Sequence, residues 1–181
     1  MSHRRLSVRI VFALAFLAGG AGFLLNGLAG PDIAEDPLAE LRARTESRSE
    51  AELQAGAASD PGLAVKLAER LARRDVRAEA GRVADLLAGA DARLAGAPVM
   101  RVEAALLGAR LLAFDAERGA AAVARLRAAQ SDGAVPAATR AHALFGLGFL
   151  VPEIEEQATL FLQVVERHPD SPYAPLAAAE G

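Results

Sequence analysis

The chain has 181 residues, 52% of them apolar and 24% charged, with a formal charge of −3 and no cysteine. That length allows one domain of ordinary size plus a short extra element, and the missing thiols exclude disulfides, thiolate metal sites, cysteine nucleophiles and acylation of an N-terminal cysteine. Without the leader arginines Arg4, Arg5 and Arg9, 17 of the 20 basic side chains remain against 23 acidic ones, a formal charge of −6 that argues against nucleic acid as a partner, because phosphates are held mainly by clustered Lys and Arg.

Residues 1–30 read as a basic cytoplasmic leader and a transmembrane signal-anchor helix. Ile10 to Ala29 runs for 20 residues with Asn26 as its only strongly polar side chain. At about 1.5 Å of rise per residue such a helix is roughly 30 Å long, the thickness of a bilayer's hydrocarbon core. The arginines ahead of it should stay in the cytoplasm, which places the remaining chain outside, in the periplasm if the membrane is a bacterial inner membrane. A signal peptide cleaved after Gly27-Leu28-Ala29 is the competing reading. Ala15 with Gly19, and Ala18 with Gly22, have the small-xxx-small spacing that lets two membrane helices pair as a homodimer.

Residues 31–59 read as a stalk with short helices. Asp36-Pro37 is a helix start, and Ser47 with Glu50 and Ser49 with Glu52 have capping-box spacing, but only Leu38, Leu41 and Leu53 could pack, so the stretch is expected either to be weakly folded or to lean on a neighbour. Residues 60–181 are helical in pattern throughout, with no alternating β-branched run. The spacing predicts helices over about 61–73, 76–94, 98–113, 117–130, 136–150 and 153–168, with a short one from 172. Their breaks fall at Arg74-Asp75, Gly96-Ala-Pro98, Asp115, Ser131-Asp-Gly133 and Pro152, each with turn or helix-start chemistry.

Within this part a pattern of bulky, small, bulky and small residues recurs at intervals of 40 and 38: Leu67, Ala68, Leu71, Ala80; Leu107, Gly108, Leu111, Ala120; Phe145, Gly146, Phe149, Ala158. This is the spacing of helical hairpins touching at their small residues, and its recurrence predicts a stack of antiparallel hairpins. Glycine inside a helix costs roughly 1 kcal/mol against alanine, so Gly108 and Gly146 are expected where helices approach closely. The segment from Ala143 through Phe149, then Pro152 to Ala158, Phe161, and the ending Glu166-Arg-His-Pro-Asp-Ser-Pro-Tyr-Ala-Pro175 resembles the tetratricopeptide repeat (TPR) family, as found in bacterial cell-envelope proteins. Phe145, Gly146 and Phe149 match its first helix, Ala158 and Phe161 its second, and Pro169 its closing proline. The chain departs from the family in lacking tryptophan and in having a longer unit than 34 residues. The resemblance implies an all-α fold, an N-terminal transmembrane helix followed by a TPR-like α-solenoid, and the work of a non-enzymatic adaptor in envelope protein assembly or export. An accessory subunit of a larger membrane complex and a secreted binding protein are the alternatives.

No constellation for catalysis stands out, and no cofactor or metal is expected. His3, His142 and His168 have no second ligand at helical metal spacing, and Glu153, Glu155 and Glu156 sit where acids stabilise a helix N-terminus. His168, at a helix end, is expected to carry partial positive charge there. No nucleophile elbow or phosphate loop is present. If Gly108 and Gly146 face the second helix of their own hairpins, a partner-binding concave surface follows, made by Ala105, Ala109, Leu112, Arg140, Ala143, Leu147 and Leu150. It suits an amphipathic helix or an extended apolar segment of a partner protein of the envelope.

Overall fold

The computed structural model describes residues 39–180, within a compact unit that runs from Pro37 to Gly181. The expected membrane helix, its homodimer spacing and the Asp36-Pro37 start lie outside the described residues. Among the described residues no helix is long and apolar enough to cross a membrane.

The described chain is all helical: α1 (Ala39–Glu46), α2 (Glu50–Ala57), α3 (Pro61–Asp91), α4 (Pro98–Ala109), α5 (Ala116–Ala129), α6 (Ala137–Leu150), α7 (Ile154–Arg167) and α8 (Ala174–Glu180), with short 3-10 turns at Ala92–Leu94 and Arg110–Ala113. Local chemistry places the ends. Asp60 caps α3 by accepting from the amides of Gly62 and Leu63 at 2.8 and 3.3 Å, with Pro61 in the first turn. Asp115 caps α5 through the Arg118 amide at 3.0 Å. Helix α3 is two arms joined at Asp75, whose backbone is extended (φ −163°, ψ 94°) and whose carboxylate accepts from the amides of Arg77 and Ala78. Asp75 therefore ends one arm and starts the next. The expected break at Arg74-Asp75 is this kink.

Consecutive helices pack in pairs, α2 on α3, α4 on α5 and α6 on α7, while α6 also touches α4 and α5, and α8 lies on α7. In the α4–α5 pair Gly108 stands opposite Ala122 and Gly119 opposite Leu112, so the two chains run antiparallel. Core side chains come from every helix of α2 to α8, with Leu53, Leu67, Leu71, Val83, Leu126, Leu147 and Val164 completely buried. Burial of such side chains, at about 25 cal/mol per Å² of apolar surface, is the main stabilising term.

The stretch expected to be a stalk is folded onto this body from α1 onward. Ser49 and Glu52 form the capping box that opens α2, Leu53 is fully buried in the core of α3, and the last carbonyls of α2, Ala57 and Ala58, accept from the Arg93 guanidinium at 3.3 and 2.7 Å. Arg70 likewise donates to the Arg48 carbonyl at 2.6 Å. A count of apolar residues misses this docking because arginines far along the chain supply much of it.

Small residues occupy the interior in a register different from the one the repeat pattern implies. Ala68, Gly108 and Gly146 are buried, but Ala80 is half-exposed and Ala120 and Ala158 are exposed. The close approach of α5 falls one residue earlier, where a Cβ added at Gly119 would lie 2.7 Å from the Leu112 backbone nitrogen. Gly146 faces Leu106 of α4 and not its own partner α7. Gly148 is the residue that faces α7, with the Phe161 ring over it. An i to i+2 shift on a helix turns a side chain through more than half a turn, so the seven-residue surface built on the Gly146 register turns with it.

Candidate functional site

Where the seven expected surface residues sit follows directly. Ala105, Ala109, Ala143 and Leu147 are buried, at 5%, 0%, 0% and 0% exposure, inside the α4–α5–α6 core. Leu112, Arg140 and Leu150 are partly exposed. Leu112 backs onto Gly119, and Arg140 is committed to the preceding loop, donating to the Val135 carbonyl at 2.7 Å and to that of Asp132 at 3.4 Å. The seven residues do not form one open groove.

A different row of side chains crosses α3, α4 and α6. On α3, Lys66 Nζ is 2.9 Å from Glu69 Oε2, and the same carboxylate pairs with Arg73. Glu103 on α4 and Arg110, first residue of the 3-10 turn that follows it, lie seven residues apart and are both partly buried. Burial pushes the Arg110 guanidinium below the ordinary arginine value, Glu69 and Glu103 act in the opposite direction, and Arg73 adds to the lowering. Arginine nonetheless stays charged. On α6, His142 Nδ1 lies 3.0 Å from Glu103 Oε1 and donates to that carboxylate, while the imidazole stacks on Tyr173 with ring centroids 4.7 Å apart and planes 4° from parallel.

These groups are withdrawn from water. The Lys66, Glu69, Glu103 and His142 side chains keep only 18%, 26%, 20% and 10% of their exposure. Charged groups in such positions lose hydration that pairing returns only in part, so a row of them is a poor device for stability. Its effective dielectric is low, which strengthens any contact a partner makes there. The exposed pairs elsewhere, Arg118 with Asp85, Arg125 with Asp91 and Arg127 with Glu156, tie α5 to α3 and α7 and contribute at most about 1 kcal/mol each.

The sequence carried a signal for this row that the apolar reading passed over. Glu103 and His142 are 39 residues apart, one more than the 38 that relates Gly108 to Gly146, so the repeat brings their two helices together while the two positions stand one residue off strict equivalence. His168 differs from its expectation: burial first, then Arg140 and Arg167, hold its pKa below the usual histidine value, which disfavours positive charge there.

Two clefts, of about 100 and 110 Å³, open between helices, one at the start of α4 beside Arg101 and Arg125, the other lined by alanines and Gly108 between α3, α4 and α5. Both fall short of the roughly 300 to 1,000 Å³ of a typical small-molecule site. Among the described residues no three His, Asp or Glu side chains are grouped to hold a metal ion. Comparison with family models, with curated proteins and with solved structures finds no match to this chain.

Proposed function

We propose that this chain is a non-enzymatic adaptor, anchored to a membrane by residues 1–30, whose helical body is a TPR-like stack of hairpins that holds another protein of the bacterial cell envelope during assembly or export. The observation that carries the reading is a row of ionisable side chains, Lys66, Glu69, Glu103, Arg110 and His142 partly buried and Arg73 exposed at its end, laid across α3, α4 with the turn that follows it, and α6. Alternating charge withdrawn from water adds little to folding and much to discrimination between partners. Pairing of α4 with α5 and α6 with α7, together with the contact of α6 on both α4 and α5, supports the stacked arrangement.

The test is purification of the full chain in mild detergent, wild type beside Lys66→Glu with Arg73→Glu. Arg73 is half-exposed but Lys66 keeps only 18% of its side-chain exposure, so a melting curve by circular dichroism is recorded for each protein and recovery is compared at a temperature where both are folded. The adaptor reading expects a protein that co-purifies with wild type to be lost from the variant. Equal recovery with both would overturn it.

A further inference from the structure

Among the described residues only three large apolar side chains are left exposed, Phe114, Ile154 and Leu162, and two of them share α7 at 54% exposure each. Eight residues separate Ile154 from Leu162, with exposed Ala158 midway, so the three follow one another at i, i+4 and i+8 along one face. The adjoining face, Leu160, Phe161 and Val164, is buried on α6 and α8. Continuing the row by four residues reaches Glu166, and Glu155, seven residues before Leu162, projects in nearly the same direction as Leu162. Both acids are exposed, and neither is in an ion pair among the described residues, whereas Glu156, turned to the other flank, is bound to Arg127. Arg167 is one residue past Glu166 and therefore points about 100° away from it.

We propose that this face of α7, Ile154, Ala158 and Leu162 bordered by Glu155 and Glu166, docks a cationic amphipathic helix of a partner protein. Ala158 between two bulky residues leaves a shallow notch for a knob of the incoming helix, and apolar anchors spaced by one turn are what a helix laid on a helix reads. The acids set the sign of the partner: Lys or Arg beside its apolar stripe meets Glu155 and Glu166, while an acidic flank is repelled. A second copy of α7 would place acid against acid.

The chain has no cysteine, so Thr159→Cys, at the edge of the stripe, accepts a single fluorophore in the full-length protein. Two synthetic helical peptides serve as probes, identical in their leucine stripe, one flanked by lysines and one by glutamates. The lysine peptide should bind at least tenfold more tightly than the glutamate peptide. Leu162→Ser, at an exposed position, should weaken it about tenfold without changing the melting temperature, and Glu155→Gln with Glu166→Gln should bring the two peptides to within about threefold of each other. Equal binding of both peptides to wild type overturns the proposal, as does undiminished binding to Leu162→Ser. So does shielding of the fluorophore before any peptide is added: if it grows with protein concentration a second copy owns the face, and if it is independent of concentration the chain's own residues 1–36 do.

Discussion

Between α4 and α5 the chain meets backbone to backbone, whereas between α6 and α7 a ring is seated over a glycine. The first contact places Gly119 against the Leu112 main chain and Gly108 against Ala122, and α5 adds only Leu126 as a large, completely buried side chain. The second places Gly148 under Phe161, which joins Phe145, Phe149, Tyr173 and His142 in one aromatic cluster with ring centroids 4.7 to 5.8 Å apart. One layout thus uses its glycines for two purposes. At Gly119 glycine admits a main chain, which cannot yield; at Gly148 it admits a side chain, which can.

The largest expected effect follows from that distinction. Gly119→Ala forces a methyl onto the Leu112 backbone, and relief requires the 3-10 turn Arg110–Ala113 to move. We expect a loss of about 3 kcal/mol, the upper end of ordinary overpacking, read as a drop in melting temperature of roughly 6 to 12 °C for a body of this size. Retention of wild-type stability would show that the α4–α5 contact is looser than backbone to backbone.

Gly148→Ala should cost less, about 1 to 2 kcal/mol, because the Phe161 ring can shift within its cluster. A double-mutant cycle with Phe161→Leu isolates the contact: the alanine should be nearly neutral once the ring is gone, giving a coupling of about 1 kcal/mol or more. Additive losses would remove Phe161 as the occupant of the glycine notch.

The helix boundaries were legible because each carries local chemistry, such as Asp60 and Pro61, Asp75, or Asp115, that works without knowledge of the fold. Which side of each helix is buried was legible less well. Gly146 and Gly148 are both interior glycines of α6, and nothing local tells which faces α4 and which faces α7; only the placement of Leu106 and Phe161 decides. That ambiguity turned the expected binding surface into the core at Ala109, Ala143 and Leu147. The charged row was missed for a related reason. Glu103 and Arg110 read as solvated charges on an apolar helix, and their partial burial depends on α3 and α6 lying beside them.

A helix glycine with open space around it calibrates both contacts. Gly81, in the second arm of α3, has no atom near an added Cβ, so Gly81→Ala should stabilise by about 0.5 to 1 kcal/mol through helix propensity alone. A chemical-denaturation midpoint that rises with an unchanged m-value is the expected reading. A fall would mean that space at Gly81 is taken, and the penalties at Gly119 and Gly148 would have to be measured from a different baseline.

The smallest effect separates the two regions by pH. Both histidines of the described residues, His142 and His168, belong to the aromatic pair and its C-terminal extension, and neither α4 nor α5 contains one. Burial, Arg140 and Arg167 lower the His168 pKa in the folded chain, so the unfolded chain binds its proton first as pH falls. The His168 contribution is therefore fully present above the unfolded value, near 6.5, and is lost as pH falls from there toward the folded value. His168→Asn should flatten the decline in melting temperature between pH 7 and pH 5 without altering stability at pH 8. Hydrogen exchange should place the acid-induced loosening at the end of α7 and in α8, beside His168, and leave α4 and α5 unchanged. If the slope survives in the variant, or exchange quickens first in the glycine-closed pair, the pH response does not arise at His168.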